Sequence, residues 1–393
     1  MKLVYCSCVC SERTYEKLFS HSSQMPGQQV QKYNRVMLKG LSQQENVLVE
    51  AISKIPLNSI TAHKTITRLQ DERWNDITIK YLPYYNIPKL SNLLQIFSAI
   101  WVMSKVRKEK DTVVILDILN VSLGLGVSLA CRLRRIKMIG IVTDLPEFLS
   151  FDKNSLFVRQ CRKIINRCNG YVMLTEAMND TCNPQREKPY VVIEGQVDSS
   201  MVKEDNRLEE KYAQKVCLYS GNLDKINGIQ YLVEGFLDAD IPNAELHIYG
   251  SGDFVPELKA LCKENRHIKY MGVKLNKEVL KAQIRAALLV NPRPTDQEFT
   301  KYSFPSKNME YMASGTPLLT TKLPGMPIDY YPYVYLLEEE TRDGIRKALK
   351  NILEKTPEEL HEMGAQAKKF VLNHKSEKNQ AKKVIEMIEK EIL

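Results

Sequence analysis

In the stretch KYSFPSKNMEYMASGTPLL, residues 301–319, Lys307 and Glu310 stand three positions apart just after Pro305. Proline favours the first turn of a helix, so a helix starting there carries Lys307 at its N-terminal end and Glu310 on the same face. Arg293, in VNPRPT, follows an apolar strand-like run. Two cations and a helix N-terminus converging on one place would hold a diphosphate, each close charge pair being worth about 4 kcal/mol before desolvation at an effective dielectric near 20. The Glu310 carboxylate can accept from two vicinal hydroxyls, as a ribose presents them. The competing reading is a solvated Lys–Glu pair. Against it stands MASGTPLL, which packs the helix tightly and returns the chain into a strand.

Glycines mark two further places. In YSGNLDKINGIQYLVEGF, Gly221 and Gly228 flank a loop that carries Asn222 and Asn227 and runs into a helix over 229–237. Glycine lets backbone N–H groups approach a phosphate, and the helix N-terminus adds partial positive charge. A plain strand-to-helix turn explains the same residues. In IYGSGDF, Gly250 and Gly252 lack the third glycine of a dinucleotide fingerprint, so they imply close approach to a ligand or to the neighbouring loop.

Asp144, in IGIVTDLPEF, ends a strand and is expected to reach a ligand cleft, although Asp before Leu-Pro also suits a turn. Glu176 reads as the acid of a helix N-terminus. Cys6, Cys8 and Cys10 alternate along the first strand-like run, too spread for one zinc, and read as a buried strand face. Asp238 to Asp240, DAD, ends a helix and is not read as a metal site, and the histidines show no H-E-x-x-H spacing. No metal or other cofactor is expected. PGQQVQKYN, from Pro26, reads as a mobile loop entering the first domain.

The elements that must position these residues alternate along the chain. KLVYCSCV, ENVLVEAI, TVVILDI, KMIGIVTD, GYVMLT and PYVVIE read as strands with helices between them. A second series, KVCLYSG, AELHIYG, HIKYMG, AALLVNP, TPLLTT and YVYLL, then begins afresh. Such alternation predicts parallel sheets covered on both faces: two Rossmann-like α/β domains, binding ligands beyond the carboxyl ends of their strands in a cleft between them. The boundary is expected near Val197 to Ser199. That gives a first domain over 1–197, a second over 198–375 and a C-terminal helix, 376–393, that crosses back to the first.

Composition sets the outer bounds. At 393 residues, 44% hydrophobic and 26% charged, the chain is globular and long enough for two cores. The net charge of +9 lies wholly in the first half: residues 1–200 hold 27 Lys and Arg against 18 Asp and Glu, and residues 201–393 hold 29 of each. An anionic partner of that half is implied, such as acidic lipid or a polyprenyl phosphate; a nucleic acid is disfavoured because no such binding module is present. Nine cysteines without C-x-x-C pairs, no long apolar run and no signal-like N-terminus predict a cytoplasmic chain, at the inner membrane face if it binds lipid.

The second half resembles the retaining, nucleotide-sugar-dependent glycosyltransferases of family 4, which have the GT-B fold of two facing Rossmann-like domains. YSGNLDKINGIQYLVEGF, LHIYGSGD, IKYMGVK, VNPRPT and FPSKNMEYMASGTPLLTT carry the resemblance in the family's order, and IVTDLPEF and VVIEGQVD extend it loosely into the first half. The resemblance implies that Glu310 binds the donor ribose, that Ser303, Phe304, Pro305 and Ser306 lie beside sugar and diphosphate, and that the base is read by backbone at Gly272 and Val273. This chain departs from the family at three positions. Tyr302 stands where a glutamate is usual, and Asn222 and Asn227 stand where an arginine and a lysine usually hold the diphosphate. Arg293 and Lys307 are expected to supply that charge from the opposite wall.

The function so implied is transfer of a sugar, with retention, from a nucleotide diphosphate donor, UDP favoured, to a hydroxyl of a sugar or lipid-linked sugar. That makes 1–197 the acceptor-binding domain, entered by the loop from Pro26, and 198–375 the nucleotide-sugar-binding domain. Bacterial polysaccharide or glycolipid assembly is the expected setting. Catalytic roles fall to Asp144, Arg293 and Lys307. The rivals are a sugar-nucleotide epimerase of the same fold and a non-catalytic nucleotide-sugar or lipid-binding subunit, the latter suggested by Tyr302, Asn222 and Asn227.

Overall fold

A computed structural model describes residues 1–20, 29–200 and 205–393. Two compact units divide the chain: residues 1–196 with 377–393, and residues 197–376.

The first unit begins with β1 (Lys2–Ser7), α1 (Glu12–Phe19), α2 (Gln29–Ser42) and β2 (Leu48–Lys54). Four short strands follow: β3 (Ile66–Thr67), β4 (Glu72–Trp74), β5 (Ile77–Leu82) and β6 (Tyr84–Tyr85). A regular alternation then runs α3 (Ser91–Lys105), β7 (Thr112–Asp117), α4 (Val121–Arg134), β8 (Lys137–Val142), α5 (Leu156–Arg167), β9 (Gly170–Met173), α6 (Glu176–Cys182) and β10 (Tyr190–Val192). The sheet order is β10-β9-β8-β7-β1-β2-β5-β4, parallel except for β4. Every residue of β1 and β7 is buried, as parallel strands covered on both faces require. Leu3, Tyr5, Ile115 and Ile141 face a core shared with α2, whereas Gly124 of α4 lies against Leu116 and Ile164 on the other side.

Two expectations need correction here. Residues 66–85 form four strands that the apolar pattern does not announce, because they are short and interleaved with polar groups. In β5, Ile77 and Ile79 are buried while Thr78 is exposed and Lys80 pairs with Glu50. The cysteines also do not share a strand face, since β1 ends at Ser7. Beyond it the Gln31 side chain bridges the turn, donating to the Cys8 carbonyl (2.7 Å) and accepting from the Cys10 N–H (3.0 Å). Of the loop expected from Pro26, residues 26–28 lie outside the described residues, and the chain from Gln29 is α2.

The second unit comprises β11 (Lys215–Asn222), α7 (Ile229–Ala239), β12 (Ala244–Ser251), α8 (Val255–Glu264), β13 (Ile268–Gly272), α9 (Asn276–Arg285), β14 (Leu288–Asn291), α10 (Ser306–Ser314), β15 (Leu318–Thr320), β16 (Tyr335–Leu336), α11 (Arg342–Leu353) and α12 (Pro357–His374). Its six strands are all parallel, in the order β13-β12-β11-β14-β15-β16, a Rossmann-like arrangement. The order doubles back between β11 and β14, the switch point at which open sheets accept ligands. The chain then breaks at Lys375 and Ser376, and α13 (Glu377–Met387) packs on α2 in the first unit. Among the described residues, no helix is long and apolar enough to cross a membrane.

Candidate functional site

The carboxyl end of β11 is the centre of the second unit's site, and α10 is the element held against it. Asn308 fixes the helix from below, accepting from Asn291 Nδ2 (2.7 Å) at the end of β14 and donating to Thr320 Oγ1 (3.2 Å) at the end of β15. One turn on, the Tyr311 hydroxyl accepts from the Ser220 N–H (2.7 Å) and donates to the Ser220 carbonyl (3.1 Å). Gly315, at φ 77°, closes the helix in the left-handed conformation that glycine adopts without strain. At the other end Phe304 is buried against Tyr330, ring centroids 5.2 Å apart. Pro305 precedes the first helical residue, Ser306 is exposed there, and Ser303 is extended and half-buried.

This anchoring delivers Lys307 over β11. Its ammonium lies 3.9 Å from the centroid of the Tyr219 ring and against Gly221, where a β-carbon would overlap Nζ. The Tyr219 hydroxyl donates to the Asn222 carbonyl (2.6 Å), which holds the ring in place. Burial and the Arg293 guanidinium push the Lys307 ammonium down to about 7, against the opposing pull of the Glu310 carboxylate. Arg293 stacks on Phe299, 4.7 Å from the ring centroid, and its carbonyl accepts from Thr321 Oγ1 (2.6 Å). Lys307 is therefore within electrostatic reach of both Arg293 and Glu310, and Glu310 lies half-buried one turn beyond it. Tyr302 ends the single turn of 3₁₀-helix over Glu298–Tyr302 that leads into this segment.

The glycines serve the chain's own packing. A β-carbon on Gly228 would strike the Pro292 carbonyl, so the start of α7 sits beside the loop that carries Arg293. A β-carbon on Gly250 would overlap the Gly221 carbonyl, and one on Gly252 would stand 2.7 Å from Asp224 Oδ1. Close approach of the neighbouring loop accounts for glycine at both 250 and 252. Asn222 is engaged locally: its amide donates to Asp224 Oδ2 (2.8 Å) and its oxygen accepts from the Asp224 N–H (2.8 Å). Asn227 closes a turn, its N–H donating to the Asp224 carbonyl (2.9 Å). Gly272, at φ 70°, has nothing within 4 Å of its β position, and Val273 beside it is 73% exposed, so the end of β13 is an open edge.

Asp238, in the DAD run, forms a two-pronged ion pair with Arg342 (Nη2 to Oδ1 2.6 Å). That pair occupies the carboxylate and ties α7 to α11.

In the first unit, Asp144 is exposed just past β8. Glu176 begins α6 and accepts from the Tyr190 hydroxyl (3.0 Å). Sequence reasoning overlooked Asp117, a buried carboxyl at the end of β7. It accepts from the Leu119 N–H (3.1 Å) and Asn120 Nδ2 (2.8 Å). Burial raises it to about 6, against the Leu119, Asn34 and Asn120 donors and with help from the Asp144 charge. A lone carboxylate closing the apolar run TVVILD was the available signal. Tyr219 and Tyr311 were also overlooked; Tyr311 is four residues after Lys307, hence one helical turn away.

Residues 214–355 match the family model described as "Glycosyl transferases group 1". No curated protein sequence matches the chain. Among solved structures, sucrose-phosphate synthase from Thermosynechococcus elongatus is 13% identical with a TM-score of 0.66, over 99% of this chain and 98% of that one. HepE of Anabaena in complex with UDP is 13% identical with a TM-score of 0.63, over 99% and 100% of the two chains. The Escherichia coli trehalose-6-phosphate protein bound with UDP-2-fluoro glucose is 11% identical with a TM-score of 0.64, over 99% of each chain. At these identities the likeness establishes the fold: an α/β chain of the GT-B class with two Rossmann-like units.

Proposed function

We propose that the second unit binds a nucleotide diphosphate sugar, UDP-linked in preference to GDP-linked, and that the chain transfers the sugar with retention to a hydroxyl acceptor. The observation that carries this reading is the placement of Lys307 in the first turn of α10, beside Arg293 and one turn before Glu310, at the switch point of a parallel sheet. Lys307 and Arg293 hold the diphosphate, Glu310 accepts from the ribose hydroxyls, and the open edge at Gly272 and Val273 receives the base. The family match over 214–355 and the UDP and UDP-sugar complexes of the similar structures support this assignment.

In the transfer step the bond between the anomeric carbon and the β-phosphate oxygen breaks, its electron pair going to the phosphate. The acceptor oxygen bonds to that carbon on the same face, and its proton passes to the departing phosphate. Lys307 and Arg293 stabilise the charge that develops on the diphosphate, a contribution that preorganised cations supply without reorganisation. Asp144, exposed past β8, orients an acceptor bound by the first unit. No metal enters this scheme. The acceptor is a sugar or lipid-linked sugar of a cell-surface polysaccharide or glycolipid.

Calorimetric titration with UDP and UDP-sugars tests the donor site. Wild type is expected to bind, and Arg293→Ala with Lys307→Ala to lose binding while keeping the native circular dichroism spectrum; equal affinity in the two proteins would sink the assignment. A non-catalytic binding role has three residues in its favour, Tyr302 at the place where a glutamate is usual and Asn222 and Asn227 where an arginine and a lysine are usual. Release of free sugar from the bound donor without acceptor excludes it.

A further inference from the structure

Three helices of the first unit, α3, α4 and α5, pack side by side on the sheet face opposite α2. Gly126 makes the closest approach: a β-carbon there would stand 2.6 Å from the Ile96 carbonyl and 2.7 Å from Ala99 Cβ, so α3 and α4 touch along their length. The outward side of this layer is apolar where a solvated surface would be polar. On α3, Leu93, Phe97 and Trp101 recur every fourth residue and are 48%, 60% and 60% exposed. On α4, Leu133 is 71% exposed, and on α5, Leu156 is 68% exposed.

The charge on the layer has one sign. None of the three helices contains an aspartate or glutamate, while α3 carries one basic residue, α4 two and α5 four. Some of these serve packing: Arg134 donates to the Val106 carbonyl (2.6 Å), Arg162 to Glu147 (2.5 Å) and Arg167 to Ser128 Oγ (3.0 Å). Lys105, Arg132, Arg159 and Lys163 are exposed. The Lys105 ammonium sits 3.4 Å over the Trp101 ring, joining the cationic and aromatic parts of the surface. Surface helices of globular proteins ordinarily mix both signs with few large apolar groups. Leucine, phenylalanine and tryptophan ringed by cations, with no carboxylate on the three helices and the neighbouring Glu147 taken up by Arg162, is the composition that settles into the headgroup region of an anionic bilayer.

We propose that the outer face of α3, α4 and α5 docks the chain on an anionic membrane surface, with Phe97 and Trp101 entering the headgroup region and Lys105, Arg132, Arg159 and Lys163 meeting lipid phosphates. This surface stands on the first unit alone and is independent of the donor site.

Flotation of the full chain with vesicles tests it. The protein is expected to float with vesicles of equal parts phosphatidylcholine and phosphatidylglycerol, to stay down with phosphatidylcholine alone, and to be released by high salt. Two variants with separate chemistry guard against misfolding. Phe97→Ser with Trp101→Ser, and Arg132→Glu with Arg159→Glu and Lys163→Glu, should each lose at least tenfold in bound fraction with unchanged circular dichroism. Trp74 and Trp101 are the two tryptophans, so Trp74→Phe makes Trp101 the sole emitter. Its emission should shift to the blue on anionic vesicles and be quenched by brominated lipid. Flotation undiminished in both variants, or Trp101 emission that does not move, overturns the proposal. So does light scattering that shows a dimer abolished by the Phe97 and Trp101 changes, since the face would then be covered by a second copy.

Discussion

The ammonium of Lys307 occupies the space that a β-carbon on Gly221 would fill. Gly221 has φ 150°, and its carbonyl also lies where a β-carbon on Gly250 would be. A glycine that looks like part of a phosphate loop is thus a seat for a lysine delivered from a helix some eighty residues later. Gly221→Ala should therefore act as a lysine mutation. Its methyl would displace Nζ from the Tyr219 ring and would also strain a backbone held at φ 150°, lowering the melting temperature. In the protein that remains folded, UDP affinity should fall by roughly 10- to 100-fold, the range for one hydrogen bond to a charged group. Combining it with Lys307→Ala should add little, because residues sharing one interaction are not additive. Calorimetry on the two single variants and the double variant checks this, and fully additive losses would refute the coupling.

Proton uptake should accompany donor binding. Lys307 is held down to about 7 from an ordinary 10.5. Between those values the unfolded chain binds the proton and the free native protein does not, so this residue's contribution to stability rises with pH across that window. Below about 7 the burial cost of the ammonium is present in full. A bound diphosphate reverses the preference by favouring the charged form. At pH 8, binding of a UDP-sugar, whose doubly esterified diphosphate does not titrate here, should take up close to one proton, and at pH 6 close to none. Titration in buffers of different ionisation enthalpy measures this directly, and Lys307→Met should abolish the uptake. An unchanged proton count in that variant would assign the linkage elsewhere.

Much of the second unit was legible because its signals are local. Six apolar runs, each bounded by glycine, proline or a polar turn, became the six strands, and Pro305 and Gly315 bracket α10. The first unit was harder to read between residues 66 and 85, where strands of two to six residues carry alternating polar groups that only tertiary pairing stabilises. Spacing could also place Lys307 and Glu310 on one helix face, but the partner of that face depends on which strand lies beneath it. The stacking on Tyr219, the clamp of Tyr311 on Ser220 and the burial of Asp117 are long-range facts of this kind. No periodicity contains them.

Glu310 offers a test that separates ribose recognition from phosphate binding. If its carboxylate accepts from the ribose diol, wild type should prefer UDP to its 2′-deoxy analogue by roughly tenfold, about 1.4 kcal/mol for a charge-assisted hydrogen bond. In Glu310→Ala the preference should vanish while inorganic pyrophosphate still binds as in wild type. Equal discrimination in both proteins would remove Glu310 from the ribose site.

Lys211 should matter for folding and not for binding. Its ammonium donates to the Ile284 carbonyl (2.7 Å), the Ala286 carbonyl (2.9 Å) and Thr316 Oγ1 (3.0 Å), closing the end of α9 onto the turn before β15. Lys211→Met keeps the stem but leaves three buried acceptors with one donor fewer each. A loss of about 2–4 kcal/mol is expected, the scale for unmet buried polar groups. The lowered urea midpoint should come with unchanged UDP affinity for the remaining folded protein. Lost affinity at full stability would give Lys211 a part in the site.

Asp117 predicts a pH dependence confined to the first unit. Its carboxyl is raised from an ordinary 3.8 to about 6 by burial. Between those values the native state holds a proton that the unfolded chain has released. Stability from this group therefore falls as pH rises from about 4 to about 6 and stays reduced above, by up to about 3 kcal/mol at 1.36 kcal/mol per unit. Asp117→Asn keeps an oxygen for the Leu119 N–H and carries no charge, so it should flatten that slope and exceed wild type in stability at pH 7.5. The Asn120 amide, which donates to Oδ2 in wild type, can turn to present its oxygen to the new donor. Asp144→Asn should give a partial version, because the Asp144 charge is one of the forces raising Asp117. Urea unfolding at pH 4.5 and 7.5, followed through the first unit's Trp74 and Trp101, provides the comparison. A wild-type slope that survives Asp117→Asn would mean that the carboxyl is ionised throughout the range and that its hydrogen bonds outweigh its burial.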